Sequence, residues 1–224
     1  MNEIDDAIHK TTQSTLELVF QVAGRSIPHH HAYPLYAALC QQAPNLHDTD
    51  LRYQMRSLPV LKAKAGKHIG QVPSGAVLRF RVQTQDFPHF LMLTGQTLDV
   101  AGHPLCLGSP TVQRLNPGGT LLSHMVTIKG FSEPEPFLQA VQRQLGERGI
   151  NATPTIPTDS HGHPQRRILQ IKDKQVVGFP VQVSGLTAEN SLLLQSVGLG
   201  GRSKLGCGYF QAIQLNGDHR GRND

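Results

Sequence analysis

The chain has 224 residues, enough for one large domain or two of about a hundred residues each. With 38% hydrophobic and 17% charged residues it is neither collagen-like nor disordered, and no run approaches the roughly eighteen apolar residues of a membrane span. The formal net charge of +5 favours a polyanionic partner through counterion release, while the three scattered cysteines, Cys40, Cys106 and Cys207, exclude a disulfide framework and a four-thiolate zinc site.

Residues 1–10 carry Glu3, Asp5 and Asp6 instead of a basic and then apolar leader, so a cytoplasmic location is expected. Leu16, Leu18, Phe20 and Val22 are apolar at alternate positions, which predicts a half-buried strand. Pro34 suits the first turn of a following helix, in which Leu35, Ala38, Leu39 and Gln42 recur at helical spacing until Pro44 stops it. Leu78, Phe80 and Val82 then alternate with Arg79 and Arg81, giving a strand with one apolar and one cationic face. That second face reads either as an RNA-facing surface or as an ordinary solvated one.

A short helix is expected within residues 86–93, opening near Pro88, and a strand over 104–107. After the turn at Asn116-Pro117-Gly118-Gly119 the series starts again. A strand is expected over 125–129, then a helix over 136–148 with Glu133 and Glu135 at its positive end and Phe137, Val141 and Leu145 as its apolar stripe. Residues 168–172 and 176–183 read as a hairpin, Thr187 caps a helix running to Leu194, and a last strand is expected over 209–215.

Two such series fit an α+β fold of two tandem ferredoxin-like (RRM-like) domains with antiparallel sheets. The expected divisions are 1–14 as a tail, 15–116 and 117–216 as the two domains, and 217–224 as a second tail.

The most informative stretch, 197–209, holds Gly198, Gly200, Gly201, Gly206 and Gly208 around Arg202, Ser203 and Lys204. Its glycines permit left-handed turns and close approach of the backbone to a ligand, and its cations suit phosphate. The alternative is a hairpin that merely turns. Cys207 and Gly208 replace the Lys and Ser or Thr of a Walker loop, and Ser203 replaces the third glycine of a dinucleotide fingerprint. Neither His29-His30-His31 nor His161 with His163 has the HExxH spacing, so no metal and no other cofactor is expected.

Glycine, apolar residue, glycine, five residues, glycine, apolar residue, glycine, placed between a helix and a last strand, resembles the signature loop of the CRISPR repeat-RNA endoribonucleases of the RAMP superfamily. The runs Ile27–Leu39 and Pro44–Asp48 resemble that family's first helix and the loop after it. The resemblance implies two ferredoxin-like domains over nearly the whole chain. It also implies a catalytic histidine after the first helix, a tyrosine on that helix and a basic helper. His47 and Tyr36 match the first two. The lysine expected soon after the histidine is absent, leaving Arg52 or Arg56 as the helper.

His31, at the helix entry, is the competing catalytic residue, with a helix cap or an RNA contact as its other readings. RNA contacts would come from the glycine loop and from Arg79, Arg81, Arg166 and Arg167.

The implied reaction needs no metal: a base deprotonates the ribose 2′-hydroxyl, which attacks the adjacent phosphate to give a cyclic phosphate and a free 5′-hydroxyl. His47 would act as base or acid, and Arg52 or Lys204 would offset charge on the phosphate. Expected partners are precursor and product repeat RNA and other CRISPR effector subunits, with no membrane and no DNA substrate. The alternative is a noncatalytic RAMP-type RNA-binding subunit of a CRISPR complex, which fold alone does not distinguish.

Overall fold

A computed structural model describes residues 15–61 and 68–213; the two expected tails and the end of the last predicted strand lie outside them. The first half contains β1 (Thr15–Gly24), β2 (Ser26–Pro28), α1 (Ala32–Gln42), β3 (Tyr53–Arg56), β4 (Ile69–Gln71), β5 (Val77–Gln83), α2 (Pro88–Leu91), β6 (Thr97–Asp99) and β7 (Pro104–Arg114). The second contains β8 (Thr120–Val126), α3 (Pro134–Gly146), β9 (Thr153–Thr155), β10 (Arg167–Ile171), β11 (Lys174–Ser184), α4 (Ala188–Val197) and β12 (Phe210–Ala212).

The first sheet has the order β3-β5-β1-β7-β6, and the second β10-β11-β8-β12 with β9 beside β11. Setting aside the short additions, each is a strand-helix-strand-strand-helix-strand series whose first and third strands lie side by side at the centre, the tandem ferredoxin-like arrangement expected from the sequence. All named pairings are antiparallel. The small sheet β2-β4 stands apart from both.

Each half has its own core. In the first, Leu18, Phe20, Leu78 and Phe80 project from the central strands against Leu39 of α1 and Phe90 of α2. In the second, Phe137 and Val141 of α3 meet Phe179 and Val181 of β11, with the rings of Phe137 and Phe179 4.7 Å apart. Thr187 caps α4 as expected, its Oγ1 accepting from Asn190 N at 3.1 Å.

One strand is displaced from its predicted place. The second series opens at Thr120–Val126 instead of 125–129, because the inward positions include Ser123. That hydroxyl is fully buried and donates to Met125 O, so a polar side chain interrupts the apolar alternation that a strand prediction follows.

Candidate active site

α1 ends at Gln42, and from Pro44 the chain makes a short 3-10 turn, Pro44–His47, anchored by buried Leu46. This turn leaves His47 exposed beside α1, where Tyr36 presents its ring. The two ring centroids are 6.3 Å apart at an interplanar angle of 30°, so the proposed catalytic pair is adjacent in space. Burial, and a hydrogen bond with the Cys40 thiol, push the Tyr36 hydroxyl up to about 12. At neutral pH it is therefore a protonated hydroxyl, a donor and not a base.

The glycine loop arrives at the same place from the other end of the chain. Lys204 Nζ donates to Leu46 O at 3.1 Å and also to Asp48 O, so it grips the backbone on both sides of His47. It sits 4.9 Å from the centroid of the Tyr53 ring, and burial lowers its affinity for the proton despite Cys40 and Asp48 nearby. Ser203 Oγ donates to Tyr53 O at 2.9 Å, tying the loop to β3.

The loop itself is folded tightly. Gly198 and Gly208 have φ of +65° and +71°; a Cβ on Gly198 would lie 2.6 Å from Gly208 O, and one on Gly208 would lie 2.2 Å from Leu199 O. These two glycines take the left-handed turns expected of the loop and let the chain pack backbone on backbone. Arg202, exposed and with φ of +64°, is the loop's outward-facing cation.

His31 occupies the position before α1 but is not the helix cap that was one of its expected roles. The ring is 7% exposed, with Nδ1 2.9 Å from Pro28 O and Nε2 2.7 Å from Ser57 Oγ. A carbonyl only accepts, so Nδ1 carries the proton and Nε2 accepts from the serine. Burial lowers the ring's affinity for a second proton, favouring the neutral form.

The arginines divide by their partners. Arg81, expected on an outer face, is 3% exposed and lies between the halves. It donates to Glu17 Oε1 at 3.2 Å and to Gln195 O and Phe210 O at 2.9 and 2.5 Å. Arg81 does stand on the non-core face of β5, but the second half covers that face of the sheet. Arg79 shares the same carboxylate at 2.6 Å and also reaches Gln113. Arg166 pairs with Glu133 at 3.2 Å. Among the described residues Arg52, Arg167 and Arg202 have no acidic partner within ion-pair distance, and Arg52 is exposed close along the chain from His47.

Two residues complete this region: His124, which the sequence did not single out, and Arg56, the second candidate for the basic helper. His124 on β8 is exposed at its surface, yet the protein packed around its ring and, after it, the charges of Arg167 and Arg56 lower its affinity for a proton. Arg56, half-buried, lies within electrostatic reach of Arg79, Arg81 and Glu17. Glu17 is the acid of the group; burial opposes its ionisation, but Arg81, the Tyr209 hydroxyl and Arg79 outweigh it and hold the carboxyl below its ordinary value. Tyr209 has a signal in the sequence as the last residue of the glycine-rich stretch and Arg56 as a candidate helper; His124 has none.

The family model for Cas6 CRISPR proteins matches residues 16–214 of this chain. The chain belongs to the Cas6 family. Among its Cas6 relatives, the CRISPR-associated endonuclease Cas6 of Myxococcus xanthus is 33% identical over 195 residues, covering 87% of this chain and 80% of that one. The fold is shared with the product of a Cas6-related gene from Pyrococcus furiosus, with a TM-score of 0.66 at 11% identity over 90% of this chain and 100% of the other. A RAMP protein described as binding different RNA substrates aligns with a TM-score of 0.64 at 13% identity, covering 89% and 99%. Both likenesses confirm the tandem ferredoxin-like architecture of this Cas6-family chain.

Proposed function

We propose that this chain is an endoribonuclease that binds CRISPR repeat RNA and cuts the precursor transcript into guide RNAs without a metal ion. The observation that carries the reading is the junction at His47, an exposed imidazole flanked by the Tyr36 ring and gripped on both sides by the lysine of the family's glycine loop. Family membership over residues 16–214, and a relative named as an endonuclease, support the same reading.

RNA brings its own nucleophile, so the protein has to move one proton, align the 2′-hydroxyl and steady the charge on the phosphate. His47 moves the proton. Tyr36, protonated at neutral pH, donates a hydrogen bond to substrate, and exposed Arg52 offsets charge on the phosphate. Arg202, Arg167 and the loop backbone supply contacts to the strand, the phosphates positioning it and any splayed bases specifying it.

The test is incubation of the protein with its repeat RNA in excess EDTA. Cutting that leaves a cyclic phosphate on one fragment, and on the other a 5′-hydroxyl that a kinase labels without prior phosphatase treatment, supports the enzyme. A stable shift in a gel with no products would instead support a noncatalytic RNA-binding subunit.

A further inference from the structure

Arg81 and Gln54 are register partners on the adjacent strands β5 and β3, and both reach from the first half to the C-terminal end of α4. Gln54 Nε2 donates to Gln195 O at 3.1 Å and to Ser196 O at 2.6 Å. Arg81 Nη1 donates to the same Gln195 O at 2.9 Å and to Phe210 O at 2.5 Å. Gln195 lies in the last turn of α4 and Phe210 opens β12, so a single guanidinium joins the two flanks of the glycine loop. Its carbon also lies 3.9 Å from the centroid of the Tyr209 ring, the residue between the loop and β12.

The ends of a loop decide where its middle falls. Here the middle is Ser203 and Lys204, bonded to Tyr53 O and to the carbonyls on either side of His47. A continuous path of hydrogen bonds and short backbone therefore runs from Arg81 to the imidazole. Arg81 is too buried to touch RNA, and Glu17 already supplies its counter-charge.

We infer that Arg81, seconded by Gln54, is a positioning residue for His47: by clamping both flanks of the glycine loop it sets the reach of Lys204, and through Lys204 the place of the imidazole. This rests on the endoribonuclease reading above. A residue that only joined the two halves would alter stability and leave the chemical step alone. One that sets the imidazole alters the chemical step, because a misplacement of about 1 Å costs on the order of 100-fold in rate.

The experiment measures single-turnover cleavage at saturating protein, together with affinity for a repeat RNA carrying a deoxyribose at the cut. It compares the wild type with Arg81→Lys, Gln54→Leu, Lys204→Met and the double variant Gln54→Leu/Lys204→Met. Each single variant is expected to cut roughly 10- to 100-fold more slowly, with affinity held within about 3-fold. The double variant is expected to be no slower than its slower parent, because effects that share one path do not multiply as those of independent sites do.

Wild-type cleavage rates in both Arg81→Lys and Gln54→Leu would overturn the inference. So would multiplying effects in the double variant, or a loss of affinity that matches the loss of rate. If Arg81→Lys does not fold, Gln54→Leu, which removes no charge, carries the test. A wild-type protein that leaves the repeat RNA uncut refutes the endoribonuclease reading instead.

Discussion

Replacing Gly208 with alanine tests whether the glycine loop is a packed structural element. At φ of +71° an alanine pays the left-handed penalty of about 1–2 kcal/mol. Its Cβ would also stand 2.2 Å from Leu199 O, a backbone atom that moves only if the loop unfolds from its seat, and overpacking of this kind costs about 1–3 kcal/mol. Together the loss is about 2–5 kcal/mol, a large share of a typical domain's stability. Gly201→Ala is the matched control, since that position has an ordinary φ and nothing within 4 Å of an added Cβ; its change should stay within about 0.5 kcal/mol. Urea unfolding followed by circular dichroism reads both: with a slope of about 2 kcal/mol/M, Gly208→Ala moves the midpoint down by about 1 M or more. Equal midpoints for the two variants would refute the reasoning.

Arg202→Gln should weaken RNA binding and flatten its salt dependence by about 0.7 in the log–log slope, while Lys204→Met should leave the slope near wild type, since its ammonium is spent on carbonyls; titrations at several salt concentrations measure both. Glu17 has a folded pKa below its unfolded value, so its stabilisation is complete above about 4.5 and is lost as pH falls through the folded value. Glu17→Gln should accordingly be less stable at neutral pH but lose less on acidification, and parallel acid limbs in denaturation curves would contradict this. Buried His31 is also held below its ordinary value, so its contribution is present above about 6.5 and fades as pH falls toward the folded value; His31→Gln should lack that step in the same curves.

Elements with one exposed face were legible in the sequence. β1 alternates over Leu16–Val22, α3 carries its stripe of Phe137, Val141 and Leu145, and Thr187 marks the start of α4 by chemistry alone. β3 was not legible. Tyr53, Gln54 and Met55 are all buried, because the helices cover one face of the strand and the second half covers the other, so no alternation remains to be read. The same covering hides Arg81: periodicity places it on the non-core face of β5 but does not say what packs on that face. Within the site, His47 and Tyr36 could be named because the run around α1 that holds both resembles the family's first helix and the loop after it. Their connection to Lys204 spans 158 residues from Leu46 and exists only once the halves are docked. The identity of the loop's glycines was plain; that Gly198 and Gly208 serve backbone packing follows from their facing one another, a fact of three dimensions.

The most direct measurement is the cleavage and binding of repeat RNA by His47→Ala in the presence of EDTA. If His47 moves the proton and the remaining surfaces hold the strand, the variant loses at least about 100-fold in cleavage while its affinity for the RNA stays close to wild type. Undiminished cutting by that variant would contradict the account.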